Sequence, residues 1–421
     1  MYRNVRTCGR MELRQKLSIL ADAAKYDASC ASSGASPRAS SGSGGLGATA
    51  PLGVCHSFTP DGRCISLLKV LLTNHCVYDC SYCVNRASND TPRTAFTPNE
   101  LAGLTIEFYR RNYIEGLFLS SGISGSPDAT MERMLRVVRS LRREHGFYGY
   151  IHLKVIAGCD PRLVALAGLY ADRLSANVEL PTEDGLRRLA PDKSLAPVYA
   201  AMGRMAEAIA ESRAEPRAPR FAPGGQGTQM IVGADSGDDA TILRASGGLY
   251  QSYGLKRVYY SAFMPVVPDS WLPSGPPPLV REHRLYQADW LMRFYGFGVE
   301  EILTGAREGM LDPHLDPKLA WALAHRERFP VDVNRAGRAE LLRVPGLGVR
   351  SVERILDARR QRSLRSSDMS RLRVPLSRVL PFVCLADHLP RDLDDPGLRR
   401  RFLPPPVQLS LFDQPERSEH A

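Results

Sequence analysis

Nowhere does this chain carry a run of about eighteen apolar residues, so no membrane span is expected. Its first ten residues, Met1 to Arg10, have no apolar stretch of the kind a secretory leader needs, so none is expected. The nine cysteines do not read as a disulfide framework, which belongs to small secreted domains. A reducing, cytoplasmic setting is the expectation. What remains is a chain of 421 residues with an ordinary hydrophobic fraction, long enough for two or three domains.

Positive charge is not scarce. The formal net charge is +10, from 55 Lys and Arg against 45 Asp and Glu. Arg dominates Lys throughout. The excess is uneven: residues 331–380 hold 12 Arg against 5 acids, a net of +7. Nucleic-acid phosphate is the obvious counterpart of such a module, with a merely solvated basic surface as the alternative.

Three cysteines stand close together in Asn74-His-Cys-Val-Tyr-Asp-Cys-Ser-Tyr-Cys-Val-Asn-Arg86. Cys76, Cys80 and Cys83 are spaced C-x3-C-x2-C, three thiolates and not four. Thiolates are the preferred ligands of iron–sulfur clusters. A cubane held by three of them leaves one iron open to a small molecule, as a catalytic metal keeps an open position. The alternative is a zinc site completed by His75 or His56. Residues 65–72 form a short apolar run that reads as a buried strand, which puts the cysteines on the loop after it.

Further alternation follows. Helices are expected at 98–113, 131–145, 161–170, 194–213 and 240–253, and strands at 116–120, 150–156, 173–180, 228–233 and 257–263. About six strands alternating with helices indicate a parallel α/β sheet or barrel, with function at the C-terminal strand ends. Before it, residues 11–27 have helical spacing and 31–50 are a Ser/Gly/Ala linker. After it, 281–303 reads as one aromatic-bearing helix and 317–327 as another. The expected divisions are an N-terminal helix and loop (1–50), the α/β core (51–280), a helical connector (281–330), a basic module (331–390) and a tail (391–421).

The cysteine stretch, with Tyr82 before the last cysteine, resembles the signature of the radical S-adenosylmethionine (SAM) superfamily. That resemblance implies a (β/α)6 partial barrel with a [4Fe–4S] cluster on the loop after its first strand. It also implies that SAM chelates the open iron and is cleaved to methionine and a 5′-deoxyadenosyl radical, with an electron donor supplying the reductant. Tyr82 is counted with the cofactor-binding residues. Ser120-Ser-Gly-Ile123 stands where the superfamily often has a Gly-Gly-Glu turn. The glutamate is absent, but Gly122 matches, and Ser121 and nearby carbonyls suit the methionyl amino group. Asn177 and Glu179, alternating onto one strand face, suit ribose hydroxyls or that amino group. Cys30, Cys55 and Cys64 are candidates for an auxiliary cluster, although free cysteines are usually small buried hydrophobes.

Residues 332–356 resemble a helix-hairpin-helix motif. Asn334 is expected to cap the first helix, Ala336, Leu341 and Leu342 to face a core, and Pro345-Gly-Leu-Gly348 to form the hairpin. Gly346 and Gly348 would let the backbone approach a DNA phosphate, and Arg350 would add charge. Such contacts hold duplex backbone without reading bases. A degenerate second copy is expected at 366–384. In the tail, Gln408, Leu409, Leu411 and Phe412 are similar to the peptide that binds the bacterial replication sliding clamp. Together these features resemble a bacterial family described as putative DNA modification or repair radical SAM proteins. The family implies DNA as partner and a uracil-DNA-glycosylase-like protein beside it. A non-catalytic iron–sulfur DNA-binding or redox-sensing protein, and radical chemistry on RNA, are the alternatives.

Overall fold

The computed structural model describes residues 11–24, 65–215, 217–266 and 269–403, together with the backbone of the strands at 38–39, 48–49 and 54–58 and of residue 64. The chain divides into two units, Met1–Glu282 and His283–Ala421.

In the first unit, helix α1 (Leu13–Ala24) buries Leu17, Leu20, Ala21 and Ala24. Strands β1 (Arg38–Ala39) and β2 (Ala48–Thr49) pair antiparallel. The main sheet has the order β3 (Val54–Phe58), β4 (Cys64–Leu71), β5 (Gly116–Ser120), β6 (Tyr150–Lys154), β7 (Arg173–Ser175), β8 (Gln226–Val232) and β9 (Arg257–Ala262). Strand β3 runs antiparallel to β4, Val54 opposite Leu68. Residues 55 and 64 lie in the two strands of this hairpin. From β4 to β9 every pairing is parallel. These six strands with their outer helices form the expected partial barrel.

Parallel strands covered on both faces should be continuously apolar or buried. Every residue of β5 and β8 is buried. The crossovers are helices α2 (Pro98–Arg110), α3 (Pro127–Arg143), α4 (Pro161–Tyr170), α5 (Glu183–Leu189) with α6 (Leu195–Ala214), and α7 (Asp239–Tyr253). Three start with a cap residue followed by proline: Thr97-Pro98, Ser126-Pro127 and Asp160-Pro161. The cap oxygen accepts an orphan N–H, and the proline occupies a position that needs no donor. Inside the barrel, Ile65, Leu67 and Phe118 are buried, with Tyr150 packed against them. Above them His152 Nε2 meets Ser175 Oγ at 3.0 Å. Side chains two residues further along β6 and β7, on the same face, reach the C-terminal mouth.

Helix α8 (Leu279–Trp290) carries the boundary between the units and continues as one π turn, Leu291–Tyr295, closed by Gly296 at φ 71°. Helix α9 (Val299–Leu303) follows separately. The single helix expected over 281–303 is therefore broken, because a glycine in the left-handed region terminates it. Helix α10 (Pro317–Ala324) buries Trp321, which meets Phe297, His325 and Phe329 edge-on or tilted. Two helix pairs complete the second unit: α11 (Arg338–Arg343) with α12 (Val349–Ala358), and α13 (Ser366–Arg371) with α14 (Leu376–Val379). Strands β10 (Val331–Asp332) and β11 (Val383–Cys384), which flank the set, pair parallel to each other.

Asn334 does not cap α11. The cap is Gly337, whose N–H donates to Glu340 Oε2 at 2.8 Å. Asn334 instead exchanges hydrogen bonds with the backbone of Leu364, donating to its carbonyl and accepting its N–H. Leu341 and Leu342 are buried, whereas Ala336 lies before the helix and is only half-buried.

Candidate functional site

The cysteine loop leaves β4 and is shaped by the protein itself. Asn74 accepts the Thr94 N–H and donates to the Pro92 carbonyl. The Arg93 guanidinium donates to the carbonyls of Asn74, Asn85, Arg86 and Asn89 at 2.6–3.0 Å. Cys83 N–H donates to the Cys80 carbonyl at 2.9 Å, turning the last two thiols together. Val77 N–H donates to the Ile123 carbonyl and Ser81 N–H to the Leu189 carbonyl, which tie the loop to the ends of β5 and α5.

Gly122 makes the first of these junctions possible. Its N–H donates to the Thr73 carbonyl at 2.8 Å. A Cβ there would lie 2.5 Å from the His75 carbonyl oxygen and 3.2 Å from that of Thr73. Only a bare backbone fits under the cysteine loop. Ser121 lines the cavity, and its hydroxyl donates to the Gly122 carbonyl at 2.7 Å.

Cys76, Cys80 and Cys83 all line one cavity of about 460 Å³ at the C-terminal ends of the strands, together with Tyr82, Ser121, Gly122, Asn177 and Glu179. Burial pushes the Cys83 thiol up to about 12 and raises Cys80 as well, and each is raised further by its neighbouring cysteines. The thiolate form is thus costly in the protein alone. A bound cation reverses that preference and deprotonates a coordinating thiol outright. Among the described residues no three His, Cys, Asp or Glu side chains are grouped to hold one metal ion. A cluster spreads its ligands over several irons, and three thiols around one cavity fit it.

The opposite wall was only partly anticipated. The strand expected over 173–180 ends at Ser175, and Asn177 and Glu179 lie beyond it. Glu179 has φ 64°, which no continuous strand tolerates, yet it bridges in parallel to Met230 and exchanges backbone hydrogen bonds with Gln229 and Ile231. Its buried carboxylate meets Lys193 Nζ at 3.5 Å and Lys154 Nζ at 3.8 Å, and accepts from Asn177 Nδ2 at 3.4 Å. Asn177 also reaches Gln229 Oε1 at 3.3 Å. Lys193 Nζ lies 3.4 Å from the Tyr82 hydroxyl and 5.7 Å from that ring's centroid. Burial works against the Lys193 ammonium, but Tyr82 and Glu179 outweigh it and hold its pKa well above the ordinary lysine value.

Lysine is scarce in this arginine-rich chain, so two lysines on one carboxylate stand out. Sequence reasoning missed Lys154, Lys193, Gln229 and Arg93. Lys154 could have been found, since it ends a barrel strand where functional side chains gather. Lys193 and Arg93 lie in loops and carry no local signal. Of the remaining candidates, Cys30, the side chains of Cys55 and Cys64, His56 and the peptide 408–412 lie outside the described residues. Cys159 is buried and separate from the three thiols lining the cavity.

In the second unit, Gly346 sits in the α11–α12 turn at φ 85°. A Cβ there would lie 2.9 Å from Val379 and 3.1 Å from Arg378 of α14. Its bare face is turned to the second helix pair, a packing role that the sequence reading did not assign. Gly348 caps α12 with no side-chain oxygen, so the first N–H groups of that helix have no side-chain partner. Arg350, in the first turn, is exposed.

No family model and no curated protein matches this chain. Among solved structures it is similar to HydG, a maturase of the [FeFe]-hydrogenase, at 15% identity over 53% of this chain and 48% of that one, with a TM-score of 0.41. It is also similar to methylornithine synthase (PylB), at 16% identity over 72% and 84% with a TM-score of 0.37. The radical S-adenosylmethionine methyltransferase TsrM from Kitasatospora setae, solved with cobalamin and a [4Fe-4S] cluster, aligns at 13% identity over 51% and 39% with a TM-score of 0.35. The alignment spans about half the length of HydG. At such identities the likeness concerns chain path and not substrate.

Proposed function

We propose that this protein is a radical SAM enzyme acting on DNA, in modification or repair. The observation that carries the first half is the cavity itself: three thiols on one side, a Lys–Glu–Lys–Asn wall on the other, at the C-terminal end of a parallel barrel. Cys76, Cys80 and Cys83 would hold a [4Fe–4S] cluster. When reduced and bound to SAM, such a cluster supplies a 5′-deoxyadenosyl radical. The Gly122 turn offers carbonyls to an ammonium group, and Lys154, Lys193, Asn177 and Glu179 offer donors and acceptors to a carboxylate and ribose. A purely structural cluster would have no use for so large a cavity beside its thiols, with Lys154, Lys193, Asn177 and Glu179 on its far wall.

DNA as the substrate rests on the second unit. Its supports are the net charge of +7 over residues 331–380 and the uncapped N-terminus of α12 after a Gly-Leu-Gly turn. Helix N-termini of this kind bind phosphate. Contact with the sliding clamp through residues 408–412 belongs to the same reading. Deleting everything after Pro406 should remove clamp binding and leave DNA binding intact.

The test is anaerobic reconstitution with iron and sulfide, reduction, and electron paramagnetic resonance with and without SAM, alongside an assay for 5′-deoxyadenosine. A SAM-shifted signal with 5′-deoxyadenosine formed is the expected result. An intact cluster that neither responds to SAM nor cleaves it would sink the enzyme reading and leave a redox-sensing or structural protein. Duplex DNA, single strands and structured RNA, compared by fluorescence anisotropy, test the substrate class; a preference for structured RNA would redirect it.

A further inference from the structure

The second unit has a cleft of its own. It measures about 320 Å³ and is walled by Trp290, Tyr295, Asp316, Lys318, Arg378 and the backbone of Gly346–Gly348. That is at the small end of ligand cavities and about the size of a single nucleotide. The Trp290 indole is 51% exposed, unusual for so large an apolar side chain. It is nevertheless held in place: Phe294 packs on it at 4.4 Å between centroids, and the Arg293 guanidinium lies 5.9 Å from the indole and 4.7 Å from the Phe294 ring. An exposed, fixed indole is a surface for stacking.

The other walls mix charges, with the Asp316 carboxylate beside Arg378 and Lys318. Arg378 is half-exposed and anchored by Asp316 at 2.5 Å, so its guanidinium is fixed at the rim. Lys318 is 6% exposed, with Nζ donating to the Leu347 carbonyl at 2.5 Å and lying 4.7 Å from the Tyr295 centroid. It places a buried amine under the turn that opens α12. The cleft therefore joins an aromatic face to a wall that carries the Arg378 guanidinium, ion-paired with Asp316. That pairing serves single-stranded nucleic acid, where bases stack on rings and phosphates meet positive charge. A duplex backbone alone gives the indole nothing to stack on.

We propose that this cleft receives one unpaired nucleotide of DNA, its base stacked on Trp290 and its phosphate against Arg378 and the start of α12. The inference rests on the DNA reading above and deepens it, because the second unit would then select DNA with a disrupted strand.

The experiment uses the full chain and fluorescently labelled oligonucleotides: an intact duplex, the same duplex with one unpaired nucleotide, and the RNA form of the latter. The wild type should bind the unpaired-nucleotide duplex more tightly than the intact one. Trp290→Ala should weaken that binding roughly tenfold and leave intact-duplex affinity within about twofold. Trp290→Phe, which keeps a ring, should restore most of the difference, and thermal melts of both variants check that the fold is kept. Equal affinity of wild type and Trp290→Ala for the unpaired-nucleotide duplex would overturn the cleft proposal while leaving DNA binding standing. Failure of the wild type to bind any of the DNAs would overturn both. Tighter binding to the RNA form would overturn the assignment to DNA.

Discussion

Glu179 holds a backbone conformation that few residues other than glycine adopt, at φ 64°. Such a position costs about 1–3 kcal/mol and persists only where its surroundings enforce it. Here the enforcement is two backbone hydrogen bonds to β8 and two ammonium groups on its carboxylate. Glu179→Gln is expected to destabilise the fold by about 1–3 kcal/mol, since it leaves two half-buried cations with a neutral partner. It should also weaken SAM binding while leaving iron content unchanged, which isothermal titration and iron analysis separate. Cys80→Ala, by contrast, should abolish the cluster; a fully loaded variant would refute the ligand assignment. Lys318 makes a third prediction, through pH. Burial holds its pKa near 7, below the ordinary 10.5, with Asp316 opposing that shift and Arg378 adding to it. Between about pH 7 and 10.5 the unfolded chain carries a proton that the folded chain has shed, so this residue makes stability rise with pH in that window. The slope should vanish below pH 7. Urea unfolding of Lys318→Met, measured from pH 7 to 10, should show a flatter profile than the wild type; parallel profiles would mean that the amine stays charged.

Elements meet at two glycines, and each sets a different test. Gly122→Val would force a side chain against the His75 carbonyl, displacing the cysteine loop from the end of β5. Reconstituted iron per chain should fall, while far-ultraviolet circular dichroism stays the same. Gly346→Val meets α14 and should lower the melting temperature, so a loss of DNA binding in that variant would not by itself locate a phosphate. The same contrast shows what could be read in advance. Strands β4 and β5 and helix α4 were legible within a residue of their ends, because apolar runs and cap-proline pairs are local signals. Asn334 was misread, because a capping side chain also serves a turn thirty residues away, and Leu364 took it. That Cys76, Cys80 and Cys83 share one cavity was legible from their spacing after a strand. The charged wall facing them was not, because Lys154 ends β6 while Glu179 and Lys193 lie in the loops before and after α5, and the three converge only once the barrel has formed.

For the chain as a whole the net charge is +10, with +7 over residues 331–380, and the proposed DNA binding would be governed by counterion release. If about four phosphates are neutralised, affinity for duplex DNA should fall roughly a hundredfold between 50 and 200 mM salt. A flat salt response in anisotropy titrations would mean that the basic stretch is a solvated surface. Arg93 carries a last consequence. Four carbonyls of the cysteine loop converge on its guanidinium, so hydrogen bonds within the chain help to shape the loop that carries the three thiols. If Cys76, Cys80 and Cys83 hold a cluster as proposed, its loss in air should leave these bonds, and the loop they shape, in place. A protein so built would be refilled after oxygen and not replaced.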